Sequence, residues 1–459
     1  MATNIFKLSN WRMRILNFEP SWFTIAMSTG TLQQCFVNFP YPITGARPWL
    51  RDIGYCLWIL EIVVMGFFVA TILARYIWHP ALFKKNMLEF PNSSFLGAIP
   101  ISLNTIIVGI ISFYDYRSSG RWGAFGLWWV SLVLSLLVSI GLLSTQTIRH
   151  DEQSLNSVAG LWIMTTVPLF AQASAGATML PYLNTESTKA AVTVLIISFM
   201  CWALALAEAN FIMGIYLWRL IAYKLPSQPL LASGFLPLAA LGQGAYAILQ
   251  LSVYLATYIQ SRGYGPTQVH PPPIPASTLQ ATSEVIHWMG IIMCLAMLSH
   301  ATFWLVQAVG SVIYMRPKSF QIGMWSFVFP WASYANAWAY LSRDLRNDGM
   351  RGWAATNIMA VTIIWLFCAL MTTWLGLIKG ELFNAPGLED WLDEEEKQQT
   401  EGKRNKWNGT YRMDGPGSMD EEKAQQAREN GEQQDGEQQD GQQQNGQQNG
   451  QQNGARRRN

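Results

Sequence analysis

The chain has 459 residues, half of them hydrophobic and 13% charged, about half the charged fraction of an ordinary soluble domain. That shortfall argues against a water-soluble globule, and a basic excess scattered between apolar runs, not gathered in one stripe, disfavours a soluble nucleic-acid binder. Charge is also divided along the chain: residues 381–459 hold 17 acidic and 10 basic side chains, so the tail carries −7 and the body +9.

A bilayer's hydrocarbon core takes about 20 mostly apolar residues per helix, and ten such runs follow one another between charged or Pro/Gly clusters. They are Trp22 to Asn38, Ile53 to Ile77, Ser94 to Tyr114, Gly123 to Thr145, Val158 to Leu180, Ala190 to Leu220, Leu230 to Tyr258, Val285 to Tyr314, Ile322 to Leu341 and Gly352 to Leu377. Trp49, Trp78, Trp122, Tyr182, Tyr223, Tyr264 and Trp353 lie near their ends, where headgroup-level anchors belong. The predicted fold class is all-α integral membrane. Its parts are an N-terminal segment (1–18), a transmembrane body of ten helices (19–380) and a disordered Gln/Gly/Asn-rich tail (381–459). An even span count puts both termini on one side. Eleven Lys and Arg in the inner segments against nine in the outer ones, with the long hydrophilic tail, place that side in the cytoplasm.

The first span carries Ser28, Thr29, Gln33 and Gln34. The third, fifth, seventh and ninth each carry a proline within the apolar run: Pro100, Pro168, Pro237 and Pro330. The even-numbered spans have none in their interiors, so the pattern reads as five repeated helical hairpins, with Pro20 opening a divergent first copy. A proline inside a helix removes a backbone hydrogen bond and kinks it, and in lipid the freed carbonyl has no water to turn to. The odd helices are therefore expected inside, around a central pore, with the even ones facing lipid. Asn104, Gln172, Gln243 and Asn336 follow the prolines within two turns and, with Ser28 and Thr29, are the pore-lining candidates; helix packing through small and amide residues is the other reading.

No Lys, Arg, Asp or Glu lies within the odd spans, and hydroxyl and amide dipoles offer weak, multi-site contacts that let an ion leave. With a basic body, the expected passenger is a small anion. Ionisable groups occur in even spans instead: Glu61, Glu208, His287 and His300. Glu61 and Glu208 are candidates for proton coupling, with a protonated or paired structural carboxyl as the alternative. His287 is expected to be solvated and His300 to make a structural hydrogen bond. The five cysteines stand singly in apolar runs and read as buried small hydrophobes. Without metal-ligand spacing, a nucleophile elbow or a phosphate loop, the chain reads as no enzyme, with no cofactor and no metal site.

The opening NFEPSWFTIAMSTGTLQQCFVNFPYP (Asn17 to Pro42), GQGAY (Gly242 to Tyr246) and WSFVFPWAS (Trp325 to Ser333) resemble the first, seventh and ninth helices of the tellurite-resistance/dicarboxylate transporter family. That family includes fungal sulfite efflux pumps, malic acid permeases and the plant slow anion channels. The match runs over roughly residues 15 to 380, and the FPYP ending is similar to the sulfite-pump branch. The resemblance implies a homotrimer in which each protomer has its own pore, and the expected location is the plasma membrane. It also implies that the phenylalanine before the ninth-helix proline, here Phe329, plugs that pore; a core phenylalanine is the competing reading. Sulfite efflux is the first expected function and C4-dicarboxylate movement the second. The polar loop between spans seven and eight and the tail have no counterpart in the resemblance.

Overall fold

In lipid a backbone N–H or C=O has no water to bond, so an apolar run satisfies its own backbone by winding into a helix. The computed structural model describes residues 13–41, 49–90, 92–114, 118–149, 154–262 and 274–383, and every regular element among them is helical. The N-terminal segment up to residue 12, Tyr264 and the tail from residue 384 lie outside the described residues.

Ten principal helices follow the predicted order. They are α1 (Phe23–Val37), α2 (Trp49–Trp78), α3 (Ala98–Tyr114), α4 (Ser118–Arg149), α5 (Val167–Glu186), α6 (Thr188–Tyr223), α7 (Leu236–Arg262), α8 (Ala276–Met315), α9 (Val328–Asp344) and α10 (Asp348–Met371). A short helix, Pro80–Leu88, follows α2, and π turns occur within α4 (Leu137–Leu142) and after α10 (Thr372–Ile378). Capping marks two starts: Ser187 Oγ accepts from Ala190 N before α6, and Asn347 Oδ1 accepts from Met350 N before α10.

Among the described residues seven helices are long and apolar enough to cross a membrane: α2, α3, α4, α6, α7, α8 and α10, with α3 and α7 counted together with the turns that precede them. α1, α5 and α9 fall short of the ten expected, and their surroundings explain it. α1 buries 13 of its 15 residues and α9 12 of its 17, so other helices, not lipid, are their solvent. A helix shielded in this way has no need of a continuous apolar surface.

The packing has two circuits. α1 lies against α3, α3 against α5, α5 against α7, α7 against α9, and α9 against α1 again. Each even helix sits on two successive odd ones: α2 on α1 and α3, α4 on α3 and α5, α6 on α5 and α7, α8 on α7 and α9, α10 on α9 and α1. The outer faces of the even helices expose large apolar side chains such as Val63, Phe67, Val133, Met200, Phe211, Ile292, Val306, Ile363 and Leu370. Trp49, Trp78, Trp122, Tyr223 and Trp353 are also exposed, as interfacial anchors require. Of the five cysteines, four are buried as expected, while Cys56 is exposed on α2, because the helical period turns it away from α1 and α3.

Candidate functional site

Each odd helix is entered through a short 3₁₀ segment: Pro20–Trp22, Asn92–Gly97, Gly160–Thr165, Gln228–Phe235 and Ile322–Phe327. These five segments touch one another in a closed circuit at one end of the odd-helix ring. The repeat prolines stand where 3₁₀ winding gives way to α winding. Pro168 and Pro237 are the second residues of α5 and α7, and Pro100 and Pro330 the third residues of α3 and α9. The expected mid-helix kinks are thereby corrected. In the first α turn the missing N–H has no intrahelical partner to lose and the fixed φ suits helix entry, so the prolines start helices instead of breaking them. Pro181, near the end of α5, is an interior proline.

Phe329 lies in the first turn of α9 and is completely buried, and its carbonyl accepts a hydrogen bond from Ser333 Oγ at 2.9 Å. Aromatic packing surrounds this entry: Phe327 and Phe235 meet edge to face at 4.9 Å, and Phe235 stacks on Trp331 at 6.0 Å.

The polar candidates separate into three kinds. Some are committed to seams. Ser28 Oγ donates to Trp325 O (3.1 Å), joining α1 to the segment before α9, while Thr29 Oγ1 donates to Ile25 O and accepts from Trp365 Nε1 of α10 (3.1 Å). Gln172 Nε2 donates to Trp128 O (2.9 Å) and Trp128 Nε1 donates to Gln172 O (3.2 Å), a reciprocal clasp between α5 and α4. Asn336 belongs to a network at the far end from the 3₁₀ segments. Its Oδ1 accepts from Asn38 Nδ2 (2.9 Å), whose Oδ1 accepts from Arg343 Nη2 (2.7 Å), placing a guanidinium at that end.

The third kind is buried without protein partners. Neither polar atom of Asn104 or Gln33 is hydrogen-bonded, nor are Gln172 Oε1, Gln34 Oε1 and Asn336 Nδ2. Leaving such a group unsatisfied costs about 1–3 kcal/mol, and these groups are spread over α1, α3, α5 and α9. Gln243 is buried on α7 between Gly242 and Gly244. A Cβ on Gly242 would lie 2.6 Å from Tyr334 N, which explains GQGAY as a close approach of α7 to α9.

Glu61, although on the even helix α2, reaches inward and is fully buried. Its Oε1 is hydrogen-bonded with Thr105 Oγ1 of α3, its Oε2 has no partner, and it fills the notch left by Gly30 of α1. The strict odd/even alternation hid this: a glutamate side chain opposite a glycine crosses from one circuit to the other. Glu208 stays half-buried on α6, with Oε2 unpartnered. His300 Nε2 accepts from Trp304 Nε1 at 3.1 Å, the structural bond expected. His287, expected to be solvated, is instead paired with Asp344 of α9 at 2.7 Å.

Two buried arginines also went unremarked in the sequence. Arg75 Nε donates to Leu16 O at 2.8 Å; Arg219 donates from Nε and Nη2 to Asn156 O (3.2 and 3.1 Å) and from Nη1 to Lys224 O (2.6 Å). Both sit near the last turn of an even helix, where they satisfy loop carbonyls. The carboxyl of Glu19, ahead of α1, is raised from its ordinary value chiefly by burial, against the pull of Arg75. A cavity of about 550 Å³ between α6, α7 and α8 is lined by apolar side chains apart from Ser252, so it offers nothing to an ion.

A closed circuit of packed helices carrying buried polar residues, surrounded by helices with apolar outer faces, is the architecture of a multi-pass membrane protein. Residues 17–373 match the family described as SLAC1, voltage-dependent anion channel, and the chain belongs to that family. It is similar to the sulfite efflux pump SSU1 of Arthroderma otae, 28% identical over 373 residues that make up 80% of this chain and 93% of that protein. The sulfite efflux pump SSU1 of Saccharomyces cerevisiae is 24% identical, over 70% of this chain and 79% of its own. A malic acid transport protein of Schizosaccharomyces pombe is 24% identical across 34% of this chain and 35% of its own.

Proposed function

We propose that this protein is a plasma-membrane sulfite efflux permease. In this reading all ten helices span the bilayer as five hairpins, with both termini cytoplasmic, and three copies assemble with one pore each. The pore runs inside the odd-helix circuit. Asn104, Gln172, Gln243 and Asn336 supply its polar contacts and Phe329 closes it. Ser28 and Thr29, as seam residues, hold the wall in place. The proline-marked entry segments set the mouth. No catalytic chemistry and no cofactor is invoked.

The observation that carries the reading is the set of unpartnered amides, Gln33 and Asn104 above all, buried in a circuit whose interior stretches lack charge. Amide dipoles replace part of an anion's hydration without a fixed charge to trap it. Similarity to sulfite pumps along most of their length favours sulfite. Malate is the second passenger, favoured by the partial similarity to the malic acid transport protein. Purified protein in liposomes, offered sulfite and malate separately, tests the assignment: sulfite flux well above that of protein-free vesicles is expected, and flux of malate alone would reverse the order. Cross-linking in native membranes reads the copy number.

A further inference from the structure

The inner circuit is uncharged along the odd helices, yet one carboxyl enters its wall. Glu61 occupies the Gly30 notch between α1 and α3, fully buried. A methyl at position 30 would collide with Oε1 and Cδ of Glu61 and with Thr105 Oγ1. The glycine therefore keeps this space for the acid and its partner. Its neighbour in sequence on α3, Asn104, is one of the two fully unpartnered amides of the inner circuit.

The hydrogen-bond inventory states which form of the acid fits. Thr105 Oγ1 has one hydrogen but three oxygens in reach: Glu61 Oε1, Ser102 O at 2.8 Å and Ile101 O at 3.3 Å. The two carbonyls can only accept. If Glu61 carries a proton, its O–H donates to Thr105 Oγ1 and the threonine donates to Ser102 O, so both contacts are made. If Glu61 is ionised, the threonine must turn its only hydrogen to the carboxylate. In either form Oε2 is buried without a donor, which costs far more when the group is charged.

Among the described residues no cation is hydrogen-bonded or ion-paired with it. α1 brings one other titratable group, Cys35, whose Sγ is directed at Ala332 O. α3 brings only Tyr114, which meets Tyr55 at the helix end. The short helix Pro80–Leu88 brings Lys84 and Lys85, beyond the end of α2. On α2 itself, Arg51, Asp52, Tyr55 and Cys56 precede Glu61, and Arg75 and Tyr76 follow it by 14 and 15 residues, about four helical turns.

We propose that Glu61 is the proton-binding group of the anion pathway: with its proton it leaves the wall neutral and anions pass, and loss of that proton to water places a carboxylate between α1 and α3 that excludes them. The inference rests on the permease reading and deepens it. Anion flux then falls as pH rises, because only the proton-bearing fraction conducts. Above the midpoint that fraction drops about tenfold per pH unit.

The test uses the full chain in liposomes as wild type, Glu61→Gln and Thr105→Val, with folding checked by monodisperse elution in detergent. Nitrate and sulfite are the probes; nitrate keeps one charge across the range, which separates titration of the protein from titration of the passenger. Infrared difference spectra across a pH step read the carbonyl stretch of a protonated carboxylic acid without reference to transport. The expected result is a nitrate flux that falls with pH in wild type and stays level in Glu61→Gln, with loss of the carboxylic band in that variant. Thr105→Val is expected to keep the band at a shifted frequency and to move the flux midpoint. An unchanged pH profile in Glu61→Gln, or no band assignable to residue 61, overturns the proposal. A band lost in Glu61→Gln without flux of either probe in wild type overturns the permease reading and the effect on passage together, while the proton assignment stands.

Discussion

α7 and α8 lie side by side and are built on opposite rules. In the most apolar stretch of α7, 89% of residues are buried; in that of α8, 44%. α7 fits its neighbours through small side chains: Gly242 against the backbone of Ser333 and Tyr334, Gly244 against Phe170 and Met297. α8 presents Trp288, Met289, Ile292, Val306 and Ile313 outward. Its Gly310 has nothing within 4 Å of where a Cβ would stand, and the same is true of Gly66 on α2 and Gly214 on α6. An outer helix is selected for transfer into lipid, which is tolerant of shape. An inner helix is selected for contact with other helices, where a single methyl is felt.

The largest expected effect breaks the inner circuit at its proposed closure. Phe329→Ala removes a buried ring from the first turn of α9. If the ring is what obstructs passage, sulfite or nitrate flux in liposomes rises about tenfold or more, equivalent to about 1.4 kcal/mol off the barrier. The equivalent truncation on the outer surface, Phe211→Ala on α6, leaves flux unchanged, since Phe211 is exposed. Equal flux changes in both variants would show that Phe329 acts through general loosening of the bundle.

A second effect sharpens the contrast with the smallest possible change. Gly242→Ala puts a methyl 2.6 Å from Tyr334 N, a backbone atom that cannot turn aside, and overpacking of this kind costs about 1–3 kcal/mol. Gly310→Ala meets nothing and removes a helix-weakening glycine, worth up to about 1 kcal/mol in the other direction. Thermal melting of the detergent-solubilised protein should therefore move down for the first variant and up for the second. Two shifts of the same sign would mean that α7 and α8 do not differ in packing as described.

The helix order was legible in composition because lipid-facing runs must be apolar whatever their neighbours. Burial of the odd helices was legible in the proline alternation, although for a reason that had to be revised. Pro100, Pro168, Pro237 and Pro330 mark helix entry, and the 3₁₀ segments they terminate have no hydropathy signature of their own. What a single chain could not reveal was which face each polar residue occupies. Thr29 and Gln172 sit on inner helices, yet Trp365 claims the Thr29 hydroxyl and Trp128 the Gln172 Nε2 in the seams, leaving only Gln172 Oε1 without a partner. Glu61 was visible as an intramembrane acid. Its arrival in the inner wall depends on Gly30, a residue on another helix, and no periodicity within α2 could announce that.

The smallest expected effect lies at the ring's 3₁₀ end, where the chain enters α1. Burial holds the Glu19 carboxyl above its unfolded-state value, outweighing the attraction of Arg75. A carboxyl raised on folding favours the native state while both states are protonated. That advantage is lost as pH climbs from the unfolded-state value, about 4.3 for a free glutamate, through the folded-state one, because the buried form resists ionising. Glu19→Gln removes the titration but keeps a polar group beside Arg75. A small rise in melting temperature is expected at neutral pH, less than the Gly242 effect and vanishing on acidification. A variant that is less stable at neutral pH than wild type would mean that the Arg75 attraction outweighs burial, and that this entry to α1 is held by an ion pair.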